Sequence, residues 1–160
     1  MTDISTALPA ASLPEPTSCP PDDKPTTLRQ IVYVSQARTD LTSRQLAAIL
    51  NTARTNNDHN KISGMLVFNS GQFMQCIEGP WSEVEALMSG IKKDRRHEYM
   101  AILLDQAITD RDFDCWLMGF KDLSLNKAFA ENDDVIDADF LGHLAHPSRA
   151  VALLASFAKL

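Results

Sequence analysis

The chain has 160 residues, 44% of them hydrophobic and 22% charged, and a formal net charge of −6. This is room for one domain with its own core. The acidic balance argues against a nucleic-acid binder, which would present a basic face, and no window approaches the ~20 consecutive apolar residues of a membrane-spanning helix.

In chain order, the first feature is compositional. Six of the eight prolines fall within residues 9–25, among Ser, Thr and Asp and without helical or strand periodicity. Residues 1–27 therefore read as a Pro-rich arm, expected to be mobile. Met1-Thr2-Asp3 begins no basic n-region with an apolar run, so a secretory signal is not expected. Cys19, Cys76 and Cys115 are odd in number and widely spaced, which fits reduced thiols in a cytoplasmic protein better than a disulfide framework or a zinc site.

Residues 28–120 alternate between strand and helix signals. Leu28–Ser35 is short and β-branched, a strand. Thr42 with Gln45 forms a capping box, and Leu46, Ile49, Leu50 and Ala53 then mark one face of a helix expected to stop near Asn56-Asn57. Ile62–Phe68 and Phe73–Ile77 are strands joined by Asn69-Ser70-Gly71, a hairpin signal. Gly79-Pro80 ends the second of these. Ser82 with Glu85 reads as another capping box, followed by the apolar stripe Val84, Leu87, Met88 and Ile91. Tyr99–Leu104 and Cys115–Phe120 read as strands. The order implies an α+β, ferredoxin-like βαββαβ sheet with an added strand and both helices on one face. In residues 121–160, Ala138, Leu141, Leu144 and Ala145 are helix-compatible. Pro147 suits the first position of a helix carrying Val151, Leu153, Leu154 and Phe157. This C-terminal helical segment could cover the other sheet face or serve as a docking surface.

Strand alternation sorts the side chains. Ile31, Tyr33 and Ser35 share a face, as do Phe73, Gln75 and Ile77, with Met74, Cys76 and Glu78 opposite. Trp116 and Met118 share a face of the last strand. In a ferredoxin-like order the first and third strands are neighbours, so Tyr33 can reach Gln75. A strand Tyr is ordinarily core with its hydroxyl bonded. An amide between Phe73 and Ile77 is less ordinary, because burying it unpaired costs roughly 1–3 kcal/mol. His143 and His146 stand i, i+3 without acidic or Cys companions, and no metal site is read there. The run Lys92-Lys93 with Arg95-Arg96 suits the negative end of a helix dipole.

Tyr33 in Ile-Val-Tyr-Val-Ser, Asn56-Asn57, Ile62-Ser63-Gly64, Phe73-Met74-Gln75-Cys76-Ile77-Glu78-Gly79-Pro80, Asp94-Arg95-Arg96-His97 and Phe113-Asp114-Cys115-Trp116-Leu117-Met118 occur in that order. Together they resemble the BLUF family, blue-light sensors using FAD, over about residues 28–120. The resemblance implies a flavin ring between the two helices, above the sheet. It implies that Tyr33 donates an electron to the excited flavin and that Gln75 bridges the Tyr hydroxyl and the flavin's N5/C4=O edge. Asn57, with Asn56 beside it, is implied to bond the ring's polar edge, and Arg96 and His97 to lie near the ribityl and phosphate end. Trp116 and Met118 match two residues thought to exchange places near the Gln. The implied cofactor is FAD, with FMN or riboflavin as the other flavins such a site could take.

The function expected is therefore a photoreceptor, not an enzyme, signalling through an unidentified downstream protein. Neither nucleic acid nor membrane is expected as a partner, and self-association into a homo-oligomer is left open. The alternatives are a small flavin-dependent oxidoreductase, for which no glycine-rich dinucleotide fingerprint is present, and a flavin-free ferredoxin-like interaction domain.

Overall fold

A computed structural model of the chain describes residues 27–114, 116–124, 128–129 and 148–160. The arm up to residue 26, Cys115, the helix-compatible stretch around Ala138–Ala145, and His143 and His146 lie outside the described residues. The elements are β1 (Leu28–Ala37), α1 (Ser43–Asn60), β2 (Ser63–Asn69), β3 (Gln72–Pro80), α2 (Trp81–Lys93), β4 (His97–Ile108), β5 (Gly119–Asp122) and α3 (Arg149–Phe157).

The strands form one sheet in the order β4-β1-β3-β2-β5. The pairs β1–β3, β1–β4 and β2–β3 are antiparallel, and β5 lies parallel to β2. This is the expected ferredoxin-like arrangement with an added strand. Alternation divides the core into two layers. On one face Ile31, Tyr33 and Ile77 pack with Val84 and Met88 of α2, and Leu66, Phe68 and Phe73 pack with Leu46 and Leu50 of α1. On the other, Val32, Met65, Val67, Met74 and Cys76 pack with Ala150, Val151, Leu154 and Phe157 of α3. The third helix thus covers the face that α1 and α2 leave open. Each fully buried aliphatic side chain here stabilises the fold by roughly 1.5–3 kcal/mol.

Several element boundaries differ from those the sequence suggests. The Thr42–Gln45 capping box forms, but α1 runs on through Asn56 and Asn57 to Asn60, and Lys61 ends it in the left-handed conformation (φ 55°). Asn57 tolerates a helical position because its side-chain amide is used elsewhere, donating to the Leu117 carbonyl at 2.5 Å. Strand β2 is shifted by one residue from the expected span, β3 is longer than expected, and the two meet in a tight turn with positive φ at both Ser70 (49°) and Gly71 (84°), the geometry that matches strand twist. Ser82 does not cap α2: β3 runs to Pro80 and the chain enters the helix at Trp81, so Ser82 is already inside it. Strand β4 extends well beyond Tyr99–Leu104, because two register shifts against β1 let it pair along most of its length. Strand β5 begins only at Gly119, so Trp116 and Met118 precede it. Helix α3 starts at Arg149 with Ser148 as its N-cap, two residues later than a Pro147 start.

Gly64 is required by close approach: a Cβ built there would lie 2.1 Å from the Cys76 carbonyl oxygen. No helix among the described residues is long and apolar enough to cross a membrane.

Glu78 anchors the sheet to the chain that follows β4. It has no exposed surface. Its Oε1 accepts from Gln30 Nε2 (2.8 Å) and the Asp112 backbone N–H (3.0 Å), and its Oε2 from the Phe113 N–H (3.0 Å). Asp112 accepts in turn from the Ser148 hydroxyl at 2.5 Å, whose oxygen caps α3 through the Val151 N–H. Burial pushes the Glu78 carboxyl up, against the opposing pull of these donors. A pKa raised on folding favours the folded state at low pH, and that share is lost as pH rises through the raised value. Glu78→Gln should lose one acceptor, leaving a backbone N–H unpaired, and so cost about 1–3 kcal/mol. Denaturant titration across pH should show this loss and the disappearance of the Glu78 share of the pH dependence.

Candidate functional site

A cavity of about 530 Å³ opens between α1, α2 and the sheet, within the usual range for small-molecule and cofactor sites. Its floor is Tyr33, Ser35, Leu66, Phe73 and Gln75; its walls include Ile49, Ala53, Asn56 and Asn57 from α1 and Leu87 and Ile91 from α2. Asp94, Arg96, His97 and Met118 also line it.

The floor carries a chain of polar contacts. Tyr33 and Gln75 are directly opposite in the β1–β3 register, and the Tyr33 hydroxyl donates to Gln75 Oε1. Gln75 Nε2 donates to Met118 Sδ at 3.1 Å. Tyr33 and Gln75 are only 4% and 7% exposed, so these contacts supply partners that water cannot. Burial pushes the Tyr33 phenol up, with a smaller push from the Asp94 carboxylate. The phenol therefore keeps its proton throughout the physiological range.

Trp116 and Met118 do not share a face. Met118 is buried among the cavity-side residues, whereas Trp116 is half-buried and packs against the cluster beneath α3. The segment is irregular because its carbonyls are bonded outside a β-ladder. The Trp116 carbonyl accepts from the Gly64 N–H (2.8 Å), Leu117 from Asn57 Nδ2, and Met118 from Arg54 Nε (2.9 Å). Strand alternation does not apply to such a segment, so a spacing of two no longer fixes a common direction.

The remaining expected residues all line the cavity: Asn56, Asn57, Arg96 and His97. The Asn57 amide nitrogen is held by Leu117, so the group it offers a ligand is its carbonyl oxygen. Arg96 grips Asp94 through both Nε and Nη2, the latter at 2.6 Å. His97 Nε2 lies 2.8 Å from the Ile91 carbonyl oxygen, which places the ring proton on Nε2 and leaves Nδ1 as an acceptor. That Nδ1 is buried without a hydrogen-bond partner among the described residues. A flavin fits these residues. Its flat ring suits apolar walls, its ring N–H suits the Asn57 oxygen, and a ribityl hydroxyl suits the orphaned His97 Nδ1.

Ser35 and Asp94 also line the cavity, though neither is among the site residues expected from the sequence. Ser35 follows Tyr33 by two on the same strand, and Asp94 opens the Asp94-Arg95-Arg96-His97 run, so each had a signal. Arg54, three residues before Asn57 and on the same side of α1, is likewise not among the expected residues, yet it holds the Met118 carbonyl.

The Arg96 guanidinium holds the Asp94 carboxyl below the usual carboxylate range. A depressed value means that the pair persists from neutral pH downward and is lost as pH falls through that lowered value. Flavin retention should therefore be level down to the ordinary Asp value of about 3.9 and fall only below it. Flavin release measured by fluorescence should show this, and Asp94→Asn should remove that acid-side step.

The family model for BLUF, sensors of blue-light using FAD, matches residues 28–119. Among curated proteins the chain is similar to the blue light- and temperature-regulated antirepressor BluF of Escherichia coli (strain K12). The two are 31% identical over 113 residues, 71% of this chain and 27% of that protein. The chain thus spans less than a third of that relative's length. Among solved structures, it matches the dark state of the BLUF protein BlrB with a TM-score of 0.62 and 26% identity, over 85% of this chain and 98% of that one. It also matches Klebsiella pneumoniae BlrP1 with FMN and cyclic diGMP, with a TM-score of 0.67 and 28% identity, over 82% of this chain and 34% of that one. The matched span includes β1 through β4, both cavity helices and the Tyr33–Gln75–Met118 floor, and the chain belongs to the BLUF family of flavin-using blue-light sensors.

Proposed function

We propose that Tyr33, Gln75 and Met118 form the photoactive relay of this sensor, and that the protein passes its state to a separate partner and catalyses no reaction of its own. The observation that carries the reading is the buried contact chain from the Tyr33 hydroxyl through the Gln75 amide to the Met118 sulfur. A bound flavin supplies the blue-light absorption and, when excited, a strong oxidant.

Tyr33 is the oxidisable side chain on the cavity floor. It can release an electron to that oxidant while its hydroxyl proton passes to Gln75 Oε1, which already accepts that hydrogen bond, and both return to Tyr33 as the amide settles, so that no net oxidation remains. Gln75 carries an acceptor and a donor at one tip, so it can reverse its amide. Reversal would turn Nε2 toward Tyr33 and Oε1 toward the Met118 sulfur. Sulfur in a thioether has no proton to give, so the Met118 contact would be lost and its segment released. Trp116, on the other side of the sheet, is then the neighbour able to respond. Cys76 stands apart from this chemistry: it faces the α3 layer, and burial pushes its thiol up.

A smaller cavity of about 210 Å³ shares Leu41 and Arg96 with the main one and carries Arg38 and Arg95. Its cations suit flavin phosphates, which supports FAD or FMN over riboflavin. The antirepressor relative supports an output made by binding a regulatory protein, and the net charge of −6 supports a protein partner over nucleic acid.

The purified protein should be yellow, and blue light should produce a small red shift of the flavin bands that reverts in the dark. Tyr33→Phe and Gln75→Leu should each abolish the shift with flavin still bound. A wild-type shift in either variant would remove that residue from the relay. A colourless protein that takes up none of FAD, FMN or riboflavin would end the reading.

A further inference from the structure

We propose that Arg54 is a positioning residue for the photoswitch: through its bond to the Met118 carbonyl it holds the Met118 sulfur where Gln75 needs it, and it thereby sets how fast the dark state returns. This rests on the Tyr33–Gln75–Met118 reading and extends it to a residue outside the cavity lining.

Met118 is held at two points. Its sulfur accepts from Gln75 Nε2 at 3.1 Å, and its backbone carbonyl accepts from Arg54 Nε at 2.9 Å. The donors sit on different elements, β3 for the sulfur and α1 for the carbonyl. Met118 therefore registers the cavity floor against a cavity wall. Ala53, beside Arg54 in sequence, lines the cavity, as does Asn57 one turn on. Asn57 holds the adjacent Leu117 carbonyl at 2.5 Å, so α1 grips two successive peptide groups.

The grip is partly buried, and a guanidinium donor makes a stronger hydrogen bond than a neutral one. Among the described residues between Met118 and the Glu78 anchor at Phe113 there is no helix or strand. The Met118 backbone is therefore placed by three local holds: Asn57 on the Leu117 carbonyl, Arg54 on the Met118 carbonyl itself, and the start of β5 at Gly119.

The kinetic consequence follows from what must be rebuilt. When Gln75 reverses and the sulfur contact is lost, return to the dark arrangement requires Met118 to come back against Gln75. A carbonyl still held, or quickly recaptured, by Arg54 limits the search to side-chain rotation. Without Arg54 the backbone must be repositioned as well, and recovery slows.

The test compares the flavin-loaded wild type with Arg54→Ala, Arg54→Lys and Arg54→Gln. Thr55→Ala, on the same helix outside the cavity lining, is the control for a general effect on α1. After a blue-light pulse, the decay of the red shift is followed in the dark. Arg54→Ala should shift by the wild-type amount and recover several-fold more slowly. Arg54→Lys, which keeps a cationic donor, should recover part of the rate, Arg54→Gln should recover less, and Thr55→Ala should match wild type. Dark recovery at the wild-type rate in Arg54→Ala with flavin bound would overturn the proposal, as would equal slowing in Thr55→Ala. Loss of flavin in all three Arg54 variants would make Arg54 a residue of general folding and would overturn it too. A wild type with flavin bound but no light-induced shift would instead refute the photoswitch reading itself.

Discussion

The hydrogen bond from Tyr33 to Gln75 is available because β1 and β3 are antiparallel neighbours with these two residues directly opposite. A shift of one residue would send one side chain to the α3 face and leave a buried phenol and a buried amide without partners. The register is held by its surroundings on both faces. Ile31 and Ile77 flank the pair toward α2, while Val32 and Cys76 point into the α3 layer. The cavity exists on one face because α1 and α2 stand apart above this pair, and the floor is dry enough for the contact to matter.

The stretch between β4 and β5 is tied down at both ends. Glu78 holds Asp112 and Phe113 at one end, and Gly64, Asn57 and Arg54 hold Trp116, Leu117 and Met118 at the other. Its side chains divide between the sheet faces, Met118 to the cavity side and Trp116 to the α3 side. The same Glu78 network reaches the N-cap of α3 through Asp112 and Ser148. The cavity floor and the N-cap of α3 thus both make contact with one short piece of chain.

Much of this is legible before any fold is known. Alternation in Ile31–Ser35 and Phe73–Ile77 places Tyr33 and Gln75 on like faces, and the order of strand and helix signals makes their strands neighbours. The α1 start is equally local, since a capping box needs only residues three apart. Where the reading fails, a distant partner overrides a local preference. Asn56 and Asn57 look like helix terminators until the Leu117 carbonyl, 60 residues on, takes the Asn57 amide. Ser82 looks like a cap until β3 proves to run straight into α2.

By itself the sequence determined the α+β class, the pairing of Tyr33 with Gln75 and the family, because periodicity and ordered motifs are properties of the chain itself. Tertiary structure decided which way Trp116 and Met118 point, that Arg54 holds Met118, and that Glu78 ties β3 to the start of α3. Those outcomes depend on which carbonyls and donors meet across the sheet, and nothing in local spacing encodes a contact between residues brought together only by packing.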